Sequence, residues 1–152
     1  WCWLRERRRF WLLALAGLGV ITAYGLSEAV KLLVEEPRPC SVVDTATVLS
    51  CPGSGDWSWP SNHAVLAAAF ATACILVVPR LAWFALPLAL AIAASRVAAG
   101  VHYVHDVLSG LALGALVVAA VVAAASPVLD RRLTGGRDGH PDSASRSQGG
   151  RA

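Results

Sequence analysis

A chain of 152 residues that is 56% hydrophobic and only 15% charged, with a net charge of +3, excludes a water-soluble globular domain. Its charges gather at the two ends and in one central loop, which is the distribution of a membrane protein. The chain contains no Met, so a preceding N-terminal part is expected, and no secretory signal is readable because the apolar run from Phe10 to Ser27 is too long and lacks a small-residue cleavage site after it.

Four apolar stretches follow in chain order: 10 to 27, 64 to 78, 81 to 95, and 107 to 128. The first and last are long enough to cross a bilayer as helices, whereas the middle two fall short of the ~20 residues usually required. Their polar flanks, "PSNH" (60–63) and "SRVAAGVHYVHD" (95–106), therefore reach into the membrane from one side. The expected fold class is an all-α, polytopic transmembrane bundle with four spanning helices in residues 1–133. The Gly-, Ser- and Arg-rich remainder, 134–152, is expected to be a disordered cytoplasmic tail.

Orientation follows from the basic residues. One side collects Arg5, Arg7, Arg8, Arg9, Arg80, Arg131 and Arg132, while the opposite loop from Pro39 to Trp59 has neither Lys nor Arg. Both ends of the chain are then cytoplasmic and the loop is extracytoplasmic. Trp11 and Trp83 fall near the first interface, and Trp57 and Trp59 near the second, as an aromatic belt requires. Cys40 and Cys51 are the two cysteines in that loop, so a disulfide between them is expected, with Cys2 on the cytoplasmic side and Cys74 inside a helix.

The chemistry converges on the extracytoplasmic face. "KLLVEEPRP" (31–39), "PSNH" and "SRVAAGVHYVHD" bring Lys31, Arg38, Arg96, His63, His102 and Asp106 to a depth where ionisable groups are costly. Each has a plainer reading: Lys31 snorkelling toward Glu28, Arg38 balanced by Glu35 or Glu36, Ser61 or Asn62 capping a helix. Three cations from separate segments, beside a helix N-terminus, nevertheless make a cradle for a multiply charged phosphate. His102 and Asp106 are four residues apart, so on a helix the carboxylate can accept the Nδ1–H hydrogen bond and leave Nε2 with a lone pair as nucleophile or base. His63, from another helix, is placed to protonate a leaving oxygen. His105 diverges from that face, and a metal site of His63, His102 and Asp106 is disfavoured by the nearby cations. No metal, no cofactor and no nucleic-acid partner are expected.

These motifs, Lys31 with Arg38-Pro39, Pro60-Ser61-x-His63, and Ser95-Arg96 with His102 and Asp106, resemble in order and spacing those of the type 2 phosphatidic acid phosphatase superfamily. The resemblance covers Lys31 to Asp106. It implies a metal-independent membrane phosphatase in a helical bundle, with His102 as nucleophile, Asp106 orienting it, His63 as general acid, and Lys31, Arg38, Ser61, Asn62 and Arg96 binding phosphate. The family usually has Gly where this chain has Asn62, so Asn62 is expected to adopt a left-handed conformation and offer its backbone N–H, or its amide, to the phosphate. Membrane members usually have six helices, two more than are visible here. Lipid phosphates and prenyl diphosphates are the expected substrates, with phosphotransfer between lipids, or a catalytically silent lipid-phosphate-binding or transport subunit, as alternatives.

Overall fold

The computed structural model describes residues 2–43 and 47–134, and the tail from residue 135 onward lies outside the described residues. Among them the chain is all helix: α1 (Cys2–Val34), the short α2 (Pro39–Val42), α3 (Asn62–Val77), α4 (Ala82–Ala98) and α5 (Val104–Thr134). A 3-10 turn at Pro79–Leu81 joins α3 to α4. Three segments, Glu6–Val42, Pro79–Ala98 and Val104–Leu133, are long and apolar enough to cross a membrane. The 81–95 stretch is thus longer than its uncharged run suggested, because the 3-10 turn and the turn containing Arg96 extend it. α3, with 16 residues, rises about 24 Å against a hydrocarbon core of about 30 Å.

The core forms where α1, α3 and α5 meet. Leu12, Ala16, Val20 and Ala23 of α1 are buried against Val65, Ala69 and Ala73 of α3 and Val118 and Val122 of α5. Spacings of three and four residues put the α1 positions on one helical stripe. That stripe runs on through Ser27 and Lys31, which are equally buried, so the inward face turns polar at one end of the bundle. Arg8 Nε meets Asp130 Oδ1 at 3.0 Å, which ties the start of α1 to the end of α5 at the other end.

α5 packs closely because it carries glycine where α3 crosses it. A Cβ on Gly114 would lie 2.1 Å from the Val65 carbonyl oxygen, and one on Gly110 would lie 2.8 Å from that of Ser61. This Gly-x-x-x-Gly pair lets two backbones approach as small residues do between membrane helices. On the outside, Trp83 and Phe84 of α4 and Leu116 of α5 are exposed, a surface suited to lipid tails.

Two helix ends aim the polar segments. α4 stops at Gly100, whose φ of +74° is the left-handed conformation glycine adopts freely. The Gly100 N–H bonds the Val97 carbonyl at 2.9 Å and the Val101 N–H bonds that of Arg96 at 3.4 Å, a Schellman closure. α1 ends with Glu35 at φ +51°, turning the chain so that the Glu36 carbonyl accepts the Ser58 N–H at 2.7 Å. Cys40 and Cys51 are joined by a disulfide with Cα atoms 5.8 Å apart, closing the loop between them.

Candidate active site

Alternation of the helices brings the C-terminal turns of α1 and α4 to the same end as the N-terminal turns of α3 and α5. Lys31, Arg38, Ser61, His63, Arg96, His102 and Asp106 therefore share one end of the bundle, with Lys31, Arg38, Ser61, His102 and Asp106 buried. His63, in the first turn of α3, is exposed, and it lies within electrostatic reach of Arg96, His102, Arg38 and Lys31.

His102 is held from both ring nitrogens. Nδ1 is 3.2 Å from Asp106 Oδ2, and Nε2 is 3.0 Å from Arg38 Nη1. A guanidinium has donors only, so Nε2 accepts and carries a lone pair, which leaves the proton on Nδ1 facing the carboxylate. The tautomer is assigned by these partners. Asp106 is itself fixed: its Oδ2 accepts the Tyr103 backbone N–H at 2.9 Å and the Ser58 hydroxyl. The first of these is half of a capping box, with an acid in the first turn reaching back to the residue before the helix.

Arg38 is one of the most heavily engaged side chains. It donates through Nε to the Asp56 carbonyl at 2.8 Å, through Nη1 to the Val101 carbonyl at 3.0 Å, and through Nη2 to Asp56 Oδ1 at 2.8 Å. Its counter-ion is therefore Asp56, and neither Glu35 nor Glu36 fills that role. Lys31 Nζ shares the same Asp56 Oδ1 at 3.4 Å and lies 3.9 Å from Glu28. Partial burial opposes ionisation of Asp56, but the Arg38 guanidinium, followed by Lys31, holds its carboxyl below the ordinary carboxylate value.

Ser61 stands at the N-cap position of α3, yet its hydroxyl makes no capping bond. Ser61 Oγ and Arg96 Nε are both buried without a hydrogen-bond partner among the described residues, which leaves two donors of the expected phosphate cradle uncommitted. Asn62 departs from expectation. It is the first residue of α3 in ordinary helical geometry, and the left-handed conformation is absent there because the chain has already entered the helix. Its amide is committed to α1: Oδ1 accepts from Ser27 Oγ at 2.7 Å and Nδ2 donates to Glu28 Oε1, the oxygen that also faces Lys31. Asn62 thus ties α3 to α1.

His105 lies outside the cradle, stacked on Tyr103 with ring centroids 5.3 Å apart. Its Nε2 meets Glu36 Oε1 at 2.9 Å and Asp106 Oδ1 at 3.1 Å. The ligating atoms of these three residues lie within 4.8 Å of one another, a spacing that a metal ion could bridge. Asp56, Ser58 and Ser27 are the participants that the sequence reading did not single out, and Glu28 was named there only as a partner of Lys31.

The PAP2 superfamily pattern matches residues 11–128 of this chain. The chain belongs to the PAP2 superfamily. Among similar proteins is decaprenylphosphoryl-5-phosphoribose phosphatase of Mycobacterium tuberculosis, 38% identical over 120 residues that cover 78% of this chain and 63% of the relative. An undecaprenyl-diphosphatase of Sulfolobus acidocaldarius is 32% identical over 98 residues, covering 64% of this chain and 47% of that one. The fold resembles the crystal structure of a transmembrane PAP2-type phosphatidylglycerolphosphate phosphatase from Bacillus subtilis, with a TM-score of 0.61, 28% identity, and coverage of 76% of this chain and 59% of that chain. The chain thus spans roughly half to two thirds of the length of the proteins it matches.

Proposed function

We propose that this PAP2 chain hydrolyses a lipid phosphate or prenyl diphosphate through a phosphohistidine, at the extracytoplasmic face of a cell membrane and with both ends of the chain cytoplasmic. The observation that carries the reading is the state of His102: its Nδ1 proton is directed to Asp106 and its Nε2 lone pair lies among cations. His102 Nε2 attacks phosphorus and the bond to the leaving oxygen breaks, while protonated His63 supplies that oxygen with a proton. Water then attacks the phosphohistidine, giving its proton to His63 and releasing inorganic phosphate. Arg38, Lys31, Arg96 and Ser61 neutralise charge on the phosphoryl oxygens. The chemistry calls for no metal ion.

Support for a lipid leaving group comes from an apolar groove of about 320 Å³ between α3 and α4. His63 stands among its lining residues with Leu66, Phe70, Cys74, Leu88 and Ile92, so the proposed leaving-group acid opens onto a surface that suits an aliphatic tail. The names of these relatives give different substrates, and each is a phosphate or diphosphate joined to a lipid or to a lipid-linked sugar. A silent binding subunit is the second reading, and turnover in EDTA separates the two. Hydrolysis and transfer to a second lipid are separated by product analysis.

The test is phosphate release from a panel of prenyl diphosphates, phosphatidylglycerol phosphate, phosphatidic acid and prenyl-phosphosugar phosphates in EDTA, with acid-labile phosphoenzyme trapping. Turnover with label on His102 supports the proposal. Metal-dependent turnover, or label on His63, defeats it.

A further inference from the structure

Two of the cations proposed to hold phosphate already hold an anion. Asp56 Oδ1 lies 2.8 Å from Arg38 Nη2 and 3.4 Å from Lys31 Nζ, a single carboxylate oxygen bridging side chains from the end of α1 and from the segment after it. The cations are 7% exposed and Asp56 51%, so the carboxylate covers them from the solvent side. The guanidinium meets Asp56 through the backbone carbonyl at Nε and through Oδ1 at Nη2, and a phosphoryl oxygen offers Nη2 an anionic acceptor like Oδ1. Asp56 therefore sits where an incoming phosphate oxygen has to go.

We propose that Asp56 is a specificity-determining residue, an internal anion that must yield Arg38 and Lys31 to the phosphate and that drives inorganic phosphate off those cations when it returns. The inference rests on the phosphatase reading above. Displacing Asp56 requires contacts that a carboxylate at this position does not make, and two such donors are present: Ser61 Oγ and Arg96 Nε, buried without partners. A terminal phosphoryl group has enough oxygens to reach Arg38, Lys31, Ser61 and Arg96 together, whereas a carboxylate has two. The site is thereby biased toward phosphate monoesters and terminal diphosphates over carboxylates. The same competition limits product inhibition, because inorganic phosphate keeps no lipid tail in the groove to help it hold Asp56 away.

The alternative is that Asp56 only positions Arg38, and the two roles predict opposite signs. We expect isothermal titration of the full chain in detergent with inorganic phosphate to give at least tenfold tighter binding in Asp56→Asn than in wild type, with Asp56→Glu close to wild type. A short-chain alkyl phosphate should gain as well, separating substrate entry from product return, and kcat and KM should fall together as phosphate release slows. Asp56→Ser serves as the second variant should Asn disturb the loop. Unchanged or weaker phosphate binding in the folded variants overturns the inference, since a mispositioned Arg38 would weaken binding. If the wild type binds neither inorganic phosphate nor the alkyl phosphate, the functional reading itself fails and the inference falls with it.

Discussion

Arg38 Nη1 lies 3.0 Å from His102 Nε2, so the cation proposed to bind phosphate also faces the proposed nucleophile. The contact selects the tautomer and occupies the lone pair, and in the proposed reaction the guanidinium has to give way before Nε2 reaches phosphorus. Asp106 maintains the complementary end of the ring at 3.2 Å. His102→Ala is therefore expected to abolish phosphoenzyme formation and to lower turnover by several powers of ten, about one for each 1.4 kcal/mol of barrier. Rapid-quench trapping with labelled substrate checks both effects, and retained labelling in the variant contradicts the assignment.

His63→Ala tests the general acid separately. Loss of a positioned acid costs about two to four powers of ten for a poor leaving group. An alkyl phosphate should show that loss in kcat/KM, whereas p-nitrophenyl phosphate, whose leaving group needs little protonation, should lose far less. Equal losses on the two substrates would mean that His63 serves binding and not proton transfer.

Asp56 gives a pH dependence whose sign follows from its depressed carboxyl. A carboxyl ionised more readily in the folded protein adds stability above its unfolded value of 3.8, and that contribution disappears as pH falls through the lower folded value. Asp56→Asn should thus lower the Tm at pH 7, and the difference from wild type should shrink on acidification below about 4. Thermal unfolding at graded pH in one detergent measures it; a difference independent of pH would assign the effect to packing.

The sequence displayed the cradle because its members break a rule. Lys31, Arg38, Arg96 and Asp106 are charges at the ends of apolar runs, where their cost makes them conspicuous; the four-residue spacing points to His102 and Asp106 as partners, but the contact runs from the bend before α5 to its first turn and not along one helical face. Asp56 and Ser58 break no rule, being polar residues in a polar loop, and only the tertiary fold chooses Asp56 over Glu35 and Glu36 as the partner of Arg38. A demand for a counter-anion to several buried cations was the available clue. Hydropathy likewise hid Gly110 and Gly114, since their importance lies in the approach of α3 and not in polarity.

That approach is testable through Gly114→Ala. The new methyl would fall 2.1 Å from the Val65 carbonyl oxygen, which is backbone and has no rotamer to change. The helices must separate, at a cost of about 1–3 kcal/mol or more. Because Ser61 and Asp106 are linked across the same crossing by a 3.1 Å backbone bond, phosphate affinity should fall along with the Tm. Gly17→Ala, inside α1 where no atom lies within 4 Å, is the control and should lower neither, its Tm staying level or rising because alanine favours the helix.

Asn62→Gly closes the question raised by the departure from the family pattern. The Asn62 amide bonds Ser27 and Glu28 on α1 and reaches Lys31 only through the shared Glu28 Oε1, so its removal should act mainly on stability and leave most of the chemistry intact. Two side-chain hydrogen bonds are lost, one to a carboxylate, and the net cost of such bonds is about 1–3 kcal/mol each at most. Glycine in the first turn of a helix adds a smaller backbone term. The expected variant has a clearly lower Tm, a kcat on lipid phosphates within a few-fold of wild type, and an unchanged ratio of activity on monophosphates and diphosphates. Ser27→Ala should reproduce part of the Tm loss and add little on top of Asn62→Gly, because both remove the same bond. A double variant whose losses are fully additive would contradict the tie between α1 and α3, and loss of turnover at unchanged Tm would return Asn62 to the phosphate site.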